Sequence, residues 1–136
     1  MATVEGLAEF KGALKAIQRG CLEHLAKEVN AGADELVSTL KAVAPVSDLE
    51  AHPGQLRESI HKKPGGRPLQ VRVVADAQDA EGHYYGAHVE FGHRTPNGKH
   101  VPAHPFFYPA WRLTRAKIKA RIQRAIRAVV KAETHV

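Results

Sequence analysis

Five histidines lie close together in the second half of the chain, and imidazole is the side chain most often used for metal binding and for proton transfer near neutral pH. Their separations of five, five, seven and four residues do not follow the spacing of a zinc site, and no cysteine lies near them. They are His83, His88, His93, His100 and His104. The pattern favours loop histidines and no metal site.

Catalytic motifs are the next candidates, and none is complete. His88 and Glu90 alternate as an acid-base pair would, but the Pro-Cys-x-x-Cys segment that a zinc deaminase also needs is missing. No Gly-x-Ser-x-Gly or Gly-x-Gly-x-x-Gly motif occurs, and Gly65-Gly66 lacks the Lys-Ser/Thr ending of a phosphate-binding loop. The one cysteine, Cys21, falls on an apolar helical position and is interpreted as a small core residue. The sequence therefore predicts neither an enzyme nor a bound cofactor.

Basic side chains are concentrated at the end of the chain, where residues 112–136 hold eight of the 20 Lys and Arg but only one acid. Residues 109–132 predict a helix whose apolar positions, Trp111, Ile118, Ile122, Ala125, Ile126 and Val129, share an arc of about 100°. The remaining surface is basic, through Arg112, Lys117, Lys119, Arg121, Arg124, Arg127 and Lys131. This basic face would contact DNA phosphates, pair with acids of a neighbouring subunit, or simply be solvated.

Two further observations bear on the partner of this helix. Aromatic residues for base stacking are missing after Trp111, which argues against a single-strand binder. A membrane-surface helix is compatible with the composition, but its apolar face offers only that one interfacial aromatic. No run of about 20 apolar residues occurs that could span a bilayer, and we expect no membrane partner.

The first third of the chain predicts one long helix over residues 6–44. Apolar residues recur at spacings of three and four from Leu7 to Val43, with a shift of one at Cys21-Leu22. Glycine weakens a helix by roughly 1 kcal/mol relative to alanine, so a bend or a break is predicted near Gly20, where the apolar stripe changes phase. Pro45 ends the helix, because the residue before a proline is pushed out of the helical region.

The middle of the chain predicts short elements separated by turns. Strands are expected over 56–61 and 69–75, with Lys62 to Pro68 as a turn or loop. Residues 84–91 fit either a weak strand or two helical turns closed by Gly92, and the short helix is preferred. Asn97-Gly98 supplies the positive φ angles of a tight hairpin turn. At 136 residues and 43% apolar composition, the chain is expected to form a single domain over 1–136.

Residues 84–111 are rich in aromatics and prolines and are either a buried hub or a docking surface. We predict that Tyr85, Val89 and Phe91 pack inward against Phe106 and Trp111. The loop that follows would then be free to reach a neighbouring subunit, and its candidate contact residues are Arg94, Asn97, Lys99 and His100.

In this order, the pieces resemble the small head-to-tail joining proteins of long-tailed double-stranded DNA phages, also called neck or tail-completion proteins. The resemblance rests on Ala44-Pro45-Val46 after a long helix, on Gly54-x-Leu56-Arg57-x-Ser59-Ile60, and on two later motifs. These are Tyr85-x-Ala87-x-Val89-Glu90-Phe91-Gly92 and Pro102-Ala103-His104-Pro105-Phe106 leading into Pro109-Ala110. Ser47 to Pro53 is an insertion relative to the family, and Arg94 to Val101 is longer than in its shortest members.

The resemblance implies an α+β fold with a long N-terminal helix, an antiparallel sheet of about three to four strands, a short middle helix and a basic C-terminal helix. It implies a non-enzymatic virion protein, made in the bacterial cytoplasm, that forms a ring of identical subunits, for example a hexamer, at the head-tail junction. Its partners would be head-completion or connector proteins, tail-tube or tail-terminator proteins, and genomic DNA in the lumen. The alternative is a small basic nucleic-acid-binding module. The motif residues are Tyr85, Val89, Glu90, Phe91, Gly92, Pro102, Pro105, Phe106 and Trp111.

Overall fold

The computed structural model describes residues 6–46 and 53–134, with side chains up to residue 132. The elements in chain order are α1 (Leu7–Val43), α2 (Gln55–Glu58), β1 (Ile60–Pro64), β2 (Val71–Ala75), α3 (Gly86–Phe91), β3 (His93–Arg94), β4 (His100–Val101) and α4 (Phe107–Thr134). The α+β class and the long, short and long helices in that order are confirmed. Most of the predicted insertion at Ser47 to Pro53 lies outside the described residues.

The first helix, α1, is one unbroken helix of 37 residues, so the break that was one of the two alternatives near Gly20 does not occur. The phase shift of its apolar stripe instead marks a change of partner: Cys21 faces α4, whereas Leu36 and Leu40 enter the core beside the sheet. The end of the helix is as predicted, because Ala44, before Pro45, takes extended angles of φ −59° and ψ 129°.

Helices α1 and α4 lie antiparallel along a shared seam. A Cβ on Gly32 would lie 3.0 Å from Cγ2 of Ile118, so glycine lets the two helices approach closely here. Further along, one depression is lined by Gly20 and Cys21 of α1 and by Val129 and Ala132 of α4. Residues 7–20 of α1 are exposed at every position.

The sheet prediction needs correction. Residues 6–46 and 53–134 contain two separate antiparallel sheets of two strands each, not one sheet of three to four strands. In the first sheet β1 pairs with β2, from Ile60 opposite Ala75 to Pro64 opposite Val71, and the sheet packs on α1. In the second, β3 pairs with β4, with His93 opposite Val101. The chain between the two sheets forms a loop and α3, and no ladder joins them among the described residues.

The strand predicted at 56–61 begins instead as the single helical turn α2, and strand β1 follows it. Leu56 and Ile60 are both 0% exposed, but Glu58 between them is exposed, whereas a strand would place all three side chains on one face. Gln, Leu, Arg and Glu all favour helix, and Gly54 opens the turn at φ 85°. A weak two-residue alternation was therefore the wrong periodicity for this segment.

The core lies at one end of the long helices. It joins the C-terminal part of α1 to α2, β1 and the beginning of α4, and its buried members are Leu36, Leu40, Ala44, Leu56, Ile60, Ala77, Phe106 and Ala110. The aromatic segment therefore contributes to the core through Phe106, which is 2% exposed.

Candidate functional site

Glu90, on α3, holds the beginning of α4. Its carboxylate is 6% exposed and accepts backbone N–H hydrogen bonds from Phe106 at 2.8 Å, Phe107 at 2.8 Å and Tyr108 at 3.0 Å. A helix start leaves four N–H groups without intrahelical acceptors, and the fourth position here is Pro109, which has no N–H. The Glu90 carboxylate thus accepts all three N–H groups that the helix start leaves unpaired. Its negative charge also lies at the positive end of the helix dipole.

Gly92 makes the turn that brings Glu90 to this position. Its φ of 74° and ψ of 168° lie in a region that is essentially restricted to glycine. A Cβ there would be 2.8 Å from the carbonyl oxygen of Val101 and 2.9 Å from the backbone nitrogen of Ala103. The nearby His104 N–H donates to the Val89 carbonyl at 2.7 Å. The helix α3 and the segment before α4 are therefore fastened together by backbone contacts.

The hairpin β3–β4 turns through Pro96, Asn97 and Gly98. The N–H of Gly98 donates to the Thr95 carbonyl at 2.8 Å, and only Gly98 of the two predicted turn residues has a positive φ, 80°. Proline fixes φ near −65°, which suits a type I turn followed by a left-handed glycine, so the turn is wider than the predicted Asn-Gly turn. All four candidate contact residues of this hairpin, Arg94, Asn97, Lys99 and His100, are exposed.

The predicted inward packing of the aromatic hub is wrong in part. Tyr85 and Val89 are half-buried against the core, but Phe91 is 67% exposed and Trp111 is 40% exposed. The ring centroids of Phe91 and Tyr108 lie 6.1 Å apart. A helix as short as α3 has too few turns for its apolar pattern to fix which side is covered. Here Glu90, not Phe91, takes the buried position. Of the remaining motif residues, Pro102 and Pro105 are exposed.

These exposed rings border an open apolar groove of ≈ 530 Å³. Its floor is formed by strand β2 and the start of α3, and its rim by Phe91, Tyr108 and Trp111. Tyr108 is 53% exposed, so all three rim side chains present ring surface to solvent. The aromatic segment is therefore both core, through Phe106, and surface.

The basic face of α4 is divided by the seam. Arg121 Nη1 lies 3.3 Å from Glu28 Oε2, and Lys117 Nζ lies 2.7 Å from Glu35 Oε1, both on α1 of the same chain. The Glu28 and Glu35 side chains are only 24% and 22% exposed, so these pairs flank the seam. Arg112, Lys119, Arg124, Arg127 and Lys131 are exposed on the outer side.

The predicted apolar arc of α4 is rotated slightly from the observed buried side. Ala110, Thr114 and Ala125 are buried, while Ile126 is 45% exposed. Thr114 is satisfied by donating its hydroxyl to the Ala110 carbonyl at 2.9 Å. The sequence contains a pattern that could have predicted these ion pairs. Glu28 and Glu35 interrupt the apolar stripe of α1, and an acid on such a stripe requires a partner.

The five histidines do not form one cluster. His88 and His93 contact edge to face with ring centroids 4.7 Å apart, and Nδ1 of His93 is buried without a hydrogen-bond partner among the described residues. His83 lies in a turn where its backbone N–H donates to Asp79, and this hydrogen bond holds the pKa of Asp79 below its usual value. Within residues 6–46 and 53–134, no three His, Cys, Asp or Glu side chains converge as metal ligands.

None of the helices in the described part of the chain is long and apolar enough to cross a membrane. A protein-family model described as "Bacteriophage HK97-gp10, putative tail-component" matches residues 8–92, which run from α1 to Gly92. The later motif from Pro102 and the helix α4 lie outside the matched range. No curated protein and no solved structure matches this chain significantly.

Proposed function

Because the chain belongs to the HK97 gp10-like family of bacteriophage tail components, we propose that it is a structural protein of the phage neck that joins tail to head. The family match carries this proposal, since it spans most of the elements that build the core. The proposed role is non-enzymatic, and the place of action is the head-tail junction of the virion.

In this role several identical subunits, for example six, close into a ring through which the genome passes. Cyclic closure requires two different and complementary patches on each subunit. The molecule offers unlike surfaces at its two ends, an exposed helix at one and the aromatic groove at the other. Head-completion or connector proteins would bind on one side of the ring, and tail-tube or tail-terminator proteins on the other.

The outer side of α4 is assigned to the lumen of this ring. Glu28 and Glu35 of α1 are already paired within the chain, which leaves fewer acids for the α4 of a neighbour. Arg112, Lys119, Arg124 and Arg127 remain exposed for contact with phosphates. Phosphate contacts carry no sequence information, so they suit a channel through which any DNA must move.

The test of the neck role uses phage that lacks this protein. We expect filled heads and finished tails to accumulate unjoined in electron micrographs, and the supplied wild-type chain to restore joined particles. Joined, infectious particles that form without the protein would contradict the proposal.

The lumen assignment is tested with Arg124→Glu/Arg127→Glu, since Arg121 is paired internally. We expect joined particles that lose DNA at lower salt than the wild type, measured by nuclease-sensitive DNA. Lys41→Glu, at an exposed position on the C-terminal part of α1, is the control. Equal DNA retention by both variants and the wild type would remove α4 from the lumen.

A second candidate function is a small nucleic-acid-binding module, which the exposed cations of α4 favour. Such a module binds DNA as a free monomer or dimer, with an affinity that falls steeply with salt. A titration of labelled duplex at several salt concentrations distinguishes the two candidates. Tight binding by a free monomer that has no effect on head-tail joining would favour the module.

A further inference from the structure

The N-terminal part of α1 carries an apolar stripe that nothing in the described chain covers. We use "N-terminal stripe" for Leu7, Phe10, Leu14 and Ile17, which are 47%, 60%, 49% and 41% exposed. Four large apolar side chains at spacings of three and four form one continuous surface on a helix. Monomeric soluble proteins rarely expose contiguous apolar patches larger than a few hundred Å², and such patches mark interaction sites.

The N-terminal stripe continues a face that is already an interface. The same side of α1 carries Cys21, Glu28 and Gly32 at helical spacing, and these residues pack against α4. Residues 7–20 are exposed at every position, so the covered part of this face begins at Cys21, and the stripe extends beyond it by three to four turns. This surface is therefore built for packing but lacks a partner within the described chain.

The aromatic groove lies at the other end of the molecule. It adjoins Phe106, which packs in the core with Leu40 of α1, and Leu40 lies 26 positions after Leu14 on the same helix. At 1.5 Å per residue, these two residues lie roughly 39 Å apart. The groove of one chain therefore cannot receive the stripe of the same chain. An apolar helix face that binds in an apolar groove is a common mode of recognition between separate chains.

We propose that the N-terminal stripe of each copy docks in the aromatic groove of a second copy, which makes this the repeating contact of the ring. The inference rests on the proposed neck function for its ring, but the contact itself is argued from the two surfaces. Because stripe and groove are different patches, the contact is heterologous and repeats from one copy to the next.

Charges favour the groove over a second stripe as the occupant. Lys11 and Lys15 flank the stripe, so pairing two stripes would bring like charges together. The groove instead presents the rings of Phe91, Tyr108 and Trp111, whose faces attract ammonium groups.

The size of the contact predicts its behaviour. The exposed parts of the four stripe and three rim side chains amount to roughly 700 Å² of apolar surface, below the size of a standard interface. One contact of this size is weak, whereas a closed ring or assembly on a partner holds every contact together. The free protein should therefore be monomeric when dilute.

Cysteine cross-linking of the full chain tests the proposal, in a Cys21→Ala background. One preparation carries Leu14→Cys, and a second, distinguishable in size by a tag, carries Tyr108→Cys. The probe is a short bifunctional maleimide added to the mixture at high protein concentration and to joined particles. We expect the mixed cross-link at a yield at least tenfold above that of the pair Ala16→Cys and Tyr108→Cys, because Ala16 lies off the stripe.

The outcomes are distinct. A Leu14→Cys chain that cross-links to its own kind would show that two stripes pair and would overturn the proposal. Rings or joined particles without the mixed cross-link would overturn it while leaving the neck function intact. If the mixed cross-link forms but phage without the protein still joins heads to tails, the contact is supported and the neck function is contradicted.

A charge placed on the stripe gives a second measurement. Leu14→Asp should weaken assembly at least tenfold and leave the circular dichroism spectrum unchanged, because the side chain is half exposed. Ala16→Asp introduces the same charge on the opposite side of α1 and should assemble like the wild type. Equal assembly by both variants would also overturn the proposal.

Discussion

A single buried carboxylate determines where the last helix begins. Glu90 accepts three N–H groups, and its charge faces the helix N-terminus. The predicted start at residue 109 was late by two residues, because donor and acceptor are 16 to 18 residues apart and no local pattern links them. The resemblance identified Glu90 as a motif residue, but its partners became visible only in three dimensions.

Glu90→Gln is therefore expected to destabilise the fold by about 2–4 kcal/mol, since hydrogen bonds to a charged acceptor are lost and the amide NH₂ faces buried N–H groups. Urea unfolding of the dilute protein measures the change. Glu58→Gln, at an exposed acid, should stay within about 0.5 kcal/mol of the wild type. A similar small effect at Glu90 would mean that α4 begins without this carboxylate.

Alanine substitutions at three glycines distinguish the cost of backbone strain from the cost of a steric clash. Gly12→Ala lies in open space inside α1 and should stabilise by about 0.5–1 kcal/mol. Gly98→Ala, with φ 80° but open space, should cost about 1 kcal/mol. Gly92→Ala combines positive φ with backbone atoms closer than 3 Å and should cost about 3 kcal/mol or more. Thermal unfolding should rank the three variants in that order, from most to least stable. Equal costs at Gly92 and Gly98 would mean that the steric clash at Gly92 adds nothing to the cost of the positive φ.

At the scale of elements, the two long helices and strand β2 were predictable, whereas α2 was predicted as a strand. The helices α1 and α4 are long, and their periodicity repeats over many turns. The strands are two to five residues long and are fixed by partners elsewhere in the chain. Segment 56–64 shows the difference: Leu56 and Ile60 lie in the core while Glu58 is exposed, although a two-residue alternation would place all three on one face.

The seam between α1 and α4 makes its own prediction. Arg121→Glu places a second acid beside Glu28 and should destabilise by about 1–2 kcal/mol. Adding Glu28→Arg restores opposite charges and should recover part of that loss, with a coupling of about 0.5–1 kcal/mol in a double-mutant cycle. Arg124→Glu, on the outer side, should change the unfolding free energy by less than about 0.5 kcal/mol. A zero coupling energy would mean that the pair adds nothing to the seam.

At the scale of the whole molecule, core and candidate contacts are separated. The core occupies one end of the long helices, while the N-terminal stripe, the β3–β4 hairpin and the outer side of α4 are exposed. Sequence patterns located the basic helix and the hairpin, but they assigned Phe91 and Trp111 to the interior. Amphipathic patterns report that a side chain is apolar, not whether its partner belongs to the same chain.

Replacing residues 94–100 by a short glycine linker tests this separation. The hairpin turn closes on itself through Thr95 and Lys99, so we expect the unfolding free energy to fall by no more than about 1 kcal/mol. Joining of heads and tails should be lost, because the exposed hairpin side chains would no longer reach a neighbour. Loss of the fold itself, seen by circular dichroism, would show that the hairpin is structural instead.

The seam joins residues from the two ends of the chain, and this has a consequence for synthesis. Arg121 follows Glu28 by 93 positions, so α1 leaves the ribosome long before α4 exists. At 5–20 residues per second, that wait lasts roughly 5–20 s. During this time the part of the apolar face of α1 that packs on α4 is uncovered and open to chaperones or to other nascent chains. Completion of α4 covers the face only as far as Gly20, so the folded chain keeps part of the surface that the nascent chain exposed.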